Sequence, residues 1–156
     1  MHPTAREFVA EVEDRYGLRP EAESFDEGTK TAADAADAIG CDVAQIASSI
    51  VMVADDRVVV VVTSGANHVD EDQVADALQA DSVRMATPEE ASEATGWSIG
   101  GVPPICHESD VPVLFDETLL DFDTVWAAAG TPDTVWPVGP DHLRELADAT
   151  PVQVSV

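Results

Sequence analysis

Residues 95–107 constrain the fold more than any other segment, because they read Thr-Gly-Trp-Ser-Ile-Gly-Gly-Val-Pro-Pro-Ile-Cys-His. Three glycines and two consecutive prolines among these thirteen residues exclude an ordinary helix or a central strand. Glycine permits backbone shapes that side chains forbid, and proline has no N–H to donate. We therefore expect a rigid loop, whose closely spaced N–H groups are suited to binding an oxyanion or a phosphate.

Helices are predicted on both sides of this loop, where capping residues precede apolar residues at helical spacing. The predicted helices are residues 4–16, 32–39, 71–78, 88–94 and 142–147. The expected N-caps are Thr4, Thr31, Asp70 and Asp141, and Pro88 is expected at the first position of its helix.

Apolar runs between the helices predict a sheet. Residues 46–53 and the nearly all-valine run 57–63 indicate a hairpin of buried strands around 54–56. Further strands are expected at residues 83–85, 111–115, 124–129, 134–138 and 151–156, although 124–129 is equally compatible with a helix. The irregular interleaving of helices and strands predicts an α+β fold with a mixed sheet in one domain.

The charge of the chain is extreme, with 31 acidic against 7 basic residues and a formal net charge of -24. The acidic residues interrupt every predicted helix, and the good apolar periodicity argues against a disordered chain. This pattern is typical of a halophile, whose salty cytoplasm screens repulsion between like charges. An acidic surface repels nucleic acid at ordinary salt, but molar salt largely removes this repulsion, so an RNA substrate is compatible with the composition.

Several classes of protein and site are not expected. The longest apolar run, residues 58–62, is too short for a transmembrane helix, and the N-terminus lacks a signal-peptide pattern, so we expect a cytoplasmic protein without a membrane partner. The two cysteines and four histidines are scattered, so neither a metal site nor a cofactor is expected. Aromatic residues do not alternate with basic ones, which argues against a general single-strand groove and a DNA partner.

Two pairs of adjacent residues have the chemistry of catalytic groups, but a catalytic role is not expected for either pair. Asp116-Glu117 resembles a carboxylate pair, but such pairs arise by chance in so acidic a chain, and we expect a solvated turn. Cys106-His107 suggests a thiol nucleophile, but sequence neighbours usually point apart, so a nucleophilic role is not expected for Cys106.

Four groups of short motifs follow one another along the chain. They are residues 31–36 with Gly40 and Gln45-Ile46, 63–67 with Val69-Asp70, 94–96 with 99–104, and 126–132. Their order and spacing resemble the YbaK/EbsC family, also called the prolyl-tRNA-synthetase-associated editing domain, over essentially the whole chain. The resemblance implies a single domain, residues 1–156, with a curved, barrel-like mixed sheet flanked by helices.

The resemblance also implies an activity and a site. Members of the family hydrolyse amino acids mischarged onto tRNA, notably alanine or cysteine on tRNA for proline, so the implied partners are the 3′ end of aminoacyl-tRNA and prolyl-tRNA synthetase. The residues implied as catalytic are Gly100, Gly101 and Ser48. Those implied to hold the ester, the terminal adenosine or the tRNA end are Phe25, Lys30, Thr31, Val102, Pro103, Pro104, Ala128, Ala129 and Gly130.

Ser48 is a departure from the family pattern, because many active members carry a lysine there. A serine cannot supply a positive charge. Three interpretations follow. In the first, the chain has lost activity and only binds a tRNA end or nucleotide. In the second, Lys30, its only lysine, replaces the missing cation, and in the third, water and the 2′-hydroxyl of the substrate transfer the protons while Ser48 donates a hydrogen bond. His68, where relatives tend to have arginine, is interpreted as a solvated turn residue, with a position at the pocket rim as the alternative.

Overall fold

The computed structural model describes residues 3–25 and 31–155. Its α-helices in this part of the chain are α1 (Pro3–Tyr16), α2 (Ala32–Ile39), α3 (Glu71–Leu78), α4 (Pro88–Thr95) and α5 (Pro140–Ala147). The strands are β1 (Glu23–Ser24), β2 (Ile46–Ala54), β3 (Arg57–Ser64), β4 (Val83–Met85), β5 (Val113–Asp116), β6 (Val125–Ala128), β7 (Thr134–Val138) and β8 (Thr150–Val152). Short 3-10 turns cover Val43–Gln45 and Glu117–Asp121.

The strands form one mixed sheet in the order β1-β7-β6-β2-β3-β5-β8, with β4 also paired to β2. The α+β fold with a mixed sheet is therefore confirmed, and 124–129 contains a strand rather than a helix. The expectation of a barrel-like sheet was wrong. Among the described residues the end strands β1 and β8 pair only inward, to β7 and β5, and a barrel requires its first and last strands to pair.

Strand β2 is the centre of the sheet, and one of its two edges is split. Along one edge β2 is paired with β3 from Ala47 to Ala54. On the other edge, parallel β6 pairs with Ile46 and Ala47, and antiparallel β4 pairs with residues 52–54. Among the described residues no strand is in register with residues 48–51 on this edge, so the sheet has an opening there.

Both faces of the central hairpin are buried, which explains its nearly continuous valine sequence. On one face Val51, Val60 and Val62 pack in a core with Phe8 and Trp136. On the other face Met52, Ala54, Val59 and Val61 form a second core with Val74 of α3, Leu114 of β5 and Val154.

The helix boundaries confirm two of the four predicted N-caps and the position of Pro88 at the start of α4. Thr31 and Asp70 accept hydrogen bonds from backbone N–H groups in the first turns of α2 and α3. Thr4 and Asp141 are not N-caps, because α1 and α5 begin one or more residues earlier, at Pro3 and Pro140. Proline is favoured in the first turn, where its missing N–H costs nothing.

Asp116 is buried, which contradicts its interpretation as part of a solvated turn. It is 2% exposed, and its carboxylate accepts hydrogen bonds from the backbone N–H of Ser64 at 3.0 Å and of Thr118 at 3.0 Å. The side-chain amide of Asn67 donates a third bond at 2.9 Å. The carboxylate thus satisfies donors where β3 leaves the sheet.

None of the helices in the described part of the chain is long and apolar enough to cross a membrane.

Candidate active site

The glycine-proline segment forms the expected rigid loop and is closed by its own hydrogen bonds. Gly96 ends α4 in the left-handed region, with φ of 81°. The indole N–H of Trp97 donates to the carbonyl of Cys106 at 2.9 Å, across the base of the loop. Nε2 of His107 lies 2.7 Å from the carbonyl oxygen of Pro103, and because a carbonyl only accepts, this nitrogen is the donor. Trp97 therefore holds the loop in shape.

Gly101 fixes the loop to the turn between β6 and β7. Its carbonyl accepts a hydrogen bond from Gly130 N–H at 3.1 Å, and a Cβ at Gly101 would lie only 2.7 Å from backbone atoms of Thr131. Its own N–H donates to Ser98 at 3.0 Å. Gly101 therefore does not offer the N–H expected of an oxyanion donor, and its place in the structure is that of a close contact only glycine permits.

Two free N–H groups of the loop belong to the residues on either side of Gly101. Within the described residues, the N–H groups of Gly100 and Val102 form no hydrogen bond. Gly100 has φ of 93° and is exposed, whereas Val102 is buried. Both line the cavity at the opening in the sheet.

This cavity has a volume of about 330 Å³, near the lower end for small-molecule sites. It lies between the loop, the open edge of β2, the β6–β7 hairpin and the start of α2. Its described lining residues are Thr31, Ala32, Ala35, 46–51, Met85, Ile99, Gly100, Val102, Trp126, Ala128, Pro132, Thr134 and Val135.

The cavity collects about half of the site residues implied by the resemblance. Those that line it are Ser48, Thr31, Gly100, Val102 and Ala128. Those that are described but do not line it are Phe25, Gly101, Pro103, Pro104, Ala129 and Gly130. Most of this second group is buried behind the wall, and Pro104 lines a separate cavity beside Tyr16 and His107. Lys30 lies outside the described residues.

Ser49, Trp126 and Thr134 are lining residues that the sequence reasoning missed. A signal for Ser49 was present, since two adjacent polar residues interrupt an otherwise apolar strand at 48–49. The hydroxyl of Ser49 is buried and has no hydrogen-bond partner in the described structure. By contrast, the hydroxyl of Thr31 is hydrogen-bonded to Asp34 N–H, and the hydroxyl of Thr134 is hydrogen-bonded to the hydroxyls of Thr131 and Ser24.

The cavity wall is electrically neutral as far as it is described, because none of its lining residues has an ionisable side chain. Cys106 is buried outside this wall, and burial raises the pKa of its thiol to about 11. Burial likewise lowers the pKa of His107. Neither residue is placed to attack a ligand in the cavity. The described residues also contain no cluster of three His, Cys, Asp or Glu side chains that could hold a metal ion.

A second cavity of about 340 Å³ adjoins the first and shares Ala32, Ser48, Ile50 and Met85 with it. It extends to Gly65 and His68 at the end of β3. His68 therefore lines the second cavity and not the first cavity.

The family of the chain follows from a family model described as the aminoacyl-tRNA editing domain, which matches residues 26–146. The chain belongs to the aminoacyl-tRNA editing domain family. Its core elements α2 to α5 fall within or at the border of the matched range.

Relatives and solved structures agree with this assignment. The chain is 31% identical over 109 residues to a proline--tRNA ligase of Acidithiobacillus ferrooxidans, covering 70% of this chain but only 19% of that enzyme. It is 31% identical over 124 residues to the uncharacterized protein YwhH of Bacillus subtilis, covering 79% and 78% of the two chains.

The fold of this editing-domain family member is also found in two solved structures. One, described provisionally as a trans-editing enzyme for prolyl tRNA synthetase, has a TM-score of 0.94 and 35% identity, covering 100% of this chain and 99% of the other. The hypothetical protein APE2540 has a TM-score of 0.84 and 25% identity, covering 96% and 99%. The chain thus spans about a fifth of the proline--tRNA ligase and nearly all of these two proteins.

Proposed function

We propose that this chain is an aminoacyl-tRNA deacylase that hydrolyses the ester of a small, wrongly attached amino acid, such as alanine or cysteine on tRNA for proline. The observation that carries the proposal is the neutral cavity in the split edge of the sheet, whose lining includes Gly100 and Val102, two loop residues with unpaired N–H groups. Membership of the editing-domain family and the likeness to a trans-editing structure support it. The proposed editing domain comprises residues 1–156 and acts on the 3′ end of the tRNA in the cytoplasm.

The proposed reaction is attack of water on the ester carbonyl. A bond forms from the water oxygen to the carbonyl carbon, and the negative charge that develops on the carbonyl oxygen is bound by N–H groups. Each such donor contributes roughly 2.7–4 kcal/mol of transition-state stabilisation. The carbon–oxygen bond to the ribose then breaks, and the proton from water passes to the departing ribose oxygen.

The described wall contains no general base, so the proton transfer is assigned to the neighbouring ribose hydroxyl of the substrate. Ser48 lines the cavity and can donate a hydrogen bond, but it carries no charge. The small volume and the apolar residues Ile46, Val51 and Val102 favour a small, uncharged amino-acid side chain. Prolyl-tRNA synthetase is the proposed partner, because this domain forms part of the related proline--tRNA ligases.

Hydrolysis of alanyl- and cysteinyl-tRNA for proline, measured in about 2 M KCl, tests the proposal. We expect release of the amino acid well above the buffer rate and no release of proline from its own tRNA. A folded protein without turnover on either ester would contradict the proposal.

A non-catalytic module that binds a tRNA end is the second candidate, favoured by serine at the usual lysine position. It predicts binding of charged tRNA without turnover. A Ser48→Lys variant that gains hydrolysis would then indicate the decay of an ancestral site.

A further inference from the structure

The uncovered edge of β2 has a defined length. The pairing with β6 ends at Ala47, opposite Ala127, and the pairing with β4 begins at Met52, opposite Met85. A hydrogen bond from Ala86 N–H to the carbonyl of Val51, at 3.1 Å, closes the β4 side. Only residues 48–50 lie between these boundaries, a length of about 10 Å at 3.3 Å per residue.

The alternation of backbone groups along β2 decides which of them face this opening. Gly65 N–H donates to the carbonyl of Ile46 on the β3 edge, whereas Ala86 N–H donates to Val51 on the other edge. Because successive residues of a strand point their N–H and C=O groups to opposite edges, both groups of Ser49 face the opening. Within the described residues neither of them forms a hydrogen bond.

We propose that the opening binds the main chain of the aminoacyl group as a single residue of β-structure. The carbonyl of Ser49 accepts a hydrogen bond from the α-ammonium group, and the N–H of Ser49 donates to the ester carbonyl oxygen. The second lone pair of that oxygen faces the N–H groups of the loop. This inference rests on the proposed function and names how the same site recognises its substrate.

The surroundings favour one amino acid over other occupants of a free strand edge. A peptide strand of ordinary length would collide with β6 or β4, which flank the opening on both sides. An ammonium group needs acceptors, and in a described wall without carboxylates the free acceptors at Ser49 are its backbone carbonyl and its hydroxyl. An acylated amino group loses its charge and adds atoms toward the flanking strands. The site therefore requires a free α-amino group.

The test uses the whole protein, labelled with ¹⁵N, and two stable analogues: 3′-alanylamino-3′-deoxyadenosine and its N-acetyl derivative. We expect the first to shift the amide resonance of Ser49 and to bind at least about tenfold more tightly than the second, since a hydrogen bond to a charged group is lost on acetylation. Equal affinities, or shifts that spare residues 47–51, would overturn the inference.

A chain variant gives an independent measurement. Ser49→Pro removes the N–H that faces the opening without removing a ladder bond, a position at which proline is tolerated. Its matched control is Ile50→Pro, which deletes an N–H facing β3 and should unfold the hairpin. We expect folded Ser49→Pro to bind the alanyl analogue about tenfold more weakly, and unchanged affinity overturns the inference. Should Ser49→Pro fail to fold, the comparison of the two analogues on the native chain decides.

The two proposals fail in different ways. Hydrolysis of alanyl-tRNA together with equal binding of the acetylated analogue overturns the β-edge inference and leaves the deacylase in place. No hydrolysis together with tight, amine-dependent binding at Ser49 contradicts the deacylase and supports the β-edge inference. If the protein shows neither hydrolysis nor amine-dependent binding, both the deacylase proposal and the β-edge inference are overturned.

Discussion

Gly100 stands at the one point of the described cavity wall where a positive backbone dihedral and a free N–H coincide. Its φ is 93°, and a Cβ there would meet only Pro132, at 3.6 Å. A side chain at Gly100 therefore costs backbone strain but no collision. Gly17 at the end of α1 has a similar φ of 67°, and a Cβ at Gly17 would have no described atom within 4 Å. Gly17 does not line the cavity, so it serves as a matched control.

We predict that Gly100→Ala and Gly17→Ala lower the free energy of unfolding alike, by about 1–2 kcal/mol, because both place a side chain on left-handed backbone. Only Gly100→Ala should slow hydrolysis, about tenfold or more, because it re-aims the N–H groups that bind the oxyanion. Chemical denaturation and single-turnover hydrolysis check the pair. Equal rates for the two variants would show that the loop N–H groups take no part.

Cys106 should be inert despite its neighbour His107. Burial raises its pKa to about 11, so the thiolate is scarce at neutral pH. We expect iodoacetamide at about pH 7.5 to modify half-buried Cys41 well before Cys106, as read by mass spectrometry, and Cys106→Ala to keep its hydrolysis rate. Rapid alkylation of Cys106 that abolishes turnover would restore the nucleophile hypothesis.

At the scale of elements, buried polar contacts hold the ends of strands in register beside the cavity. Asp116 at the end of β5 binds Ser64 N–H at the end of β3, where the second cavity begins. We predict that Asp116→Asn lowers the free energy of unfolding by about 1–3 kcal/mol, because an amide N–H₂ would face donors that need an acceptor. Exposed Glu117→Gln is the control and should change little. Equal urea midpoints for the two variants would refute a structural role for the buried carboxylate.

Strand β4 and helix α4 are joined by a surface ion pair, with Arg84 and Glu90 nitrogen and oxygen atoms 2.8 Å apart. The pKa of Glu90 is lowered from 4.5 to about 2, mainly by the hydrogen bond from Arg84 and next by the one from the backbone N–H of Thr87. A carboxyl group whose pKa is lower in the folded than in the unfolded chain stabilises the fold at pH values above its unfolded pKa. This stabilisation is lost as the pH falls toward the folded pKa. The difference in stability between the native chain and Glu90→Gln should therefore shrink as the pH falls from 4.5 to about 2, as measured by thermal unfolding. A difference independent of pH would contradict this assignment.

At the scale of the whole molecule, the net charge of -24 sets the conditions in which the fold and the tRNA complex form. The screening length falls from about 10 Å at 0.1 M salt to about 3 Å at 1 M, so repulsion within the chain weakens strongly. We predict that Tm rises by several degrees between about 0.1 and 2 M KCl and that tRNA binding strengthens over the same range. Most nucleic-acid binders lose affinity with salt, so a conventional decrease would contradict the high-salt interpretation.

The sequence by itself determined the features that depend on neighbouring residues. It predicted the glycine-proline loop, the caps at Thr31 and Asp70 and the valine hairpin. Each depends on interactions over a few residues: the backbone conformations that glycine and proline allow, capping hydrogen bonds and the spacing of apolar residues. The family motifs pointed to Ser48, Gly100 and Val102, which the fold brings to one cavity.

Only the tertiary structure decided which groups of that cavity are free. The carbonyl of Gly101 is occupied because Gly130, from a distant part of the chain, donates to it, and Asp116 is buried because it meets Ser64. The opening at Ser49 exists because β6 and β4 each cover a different end of β2. Such pairings depend on long-range register, which no local pattern specifies, and they create the free backbone edge on which substrate recognition is proposed to depend.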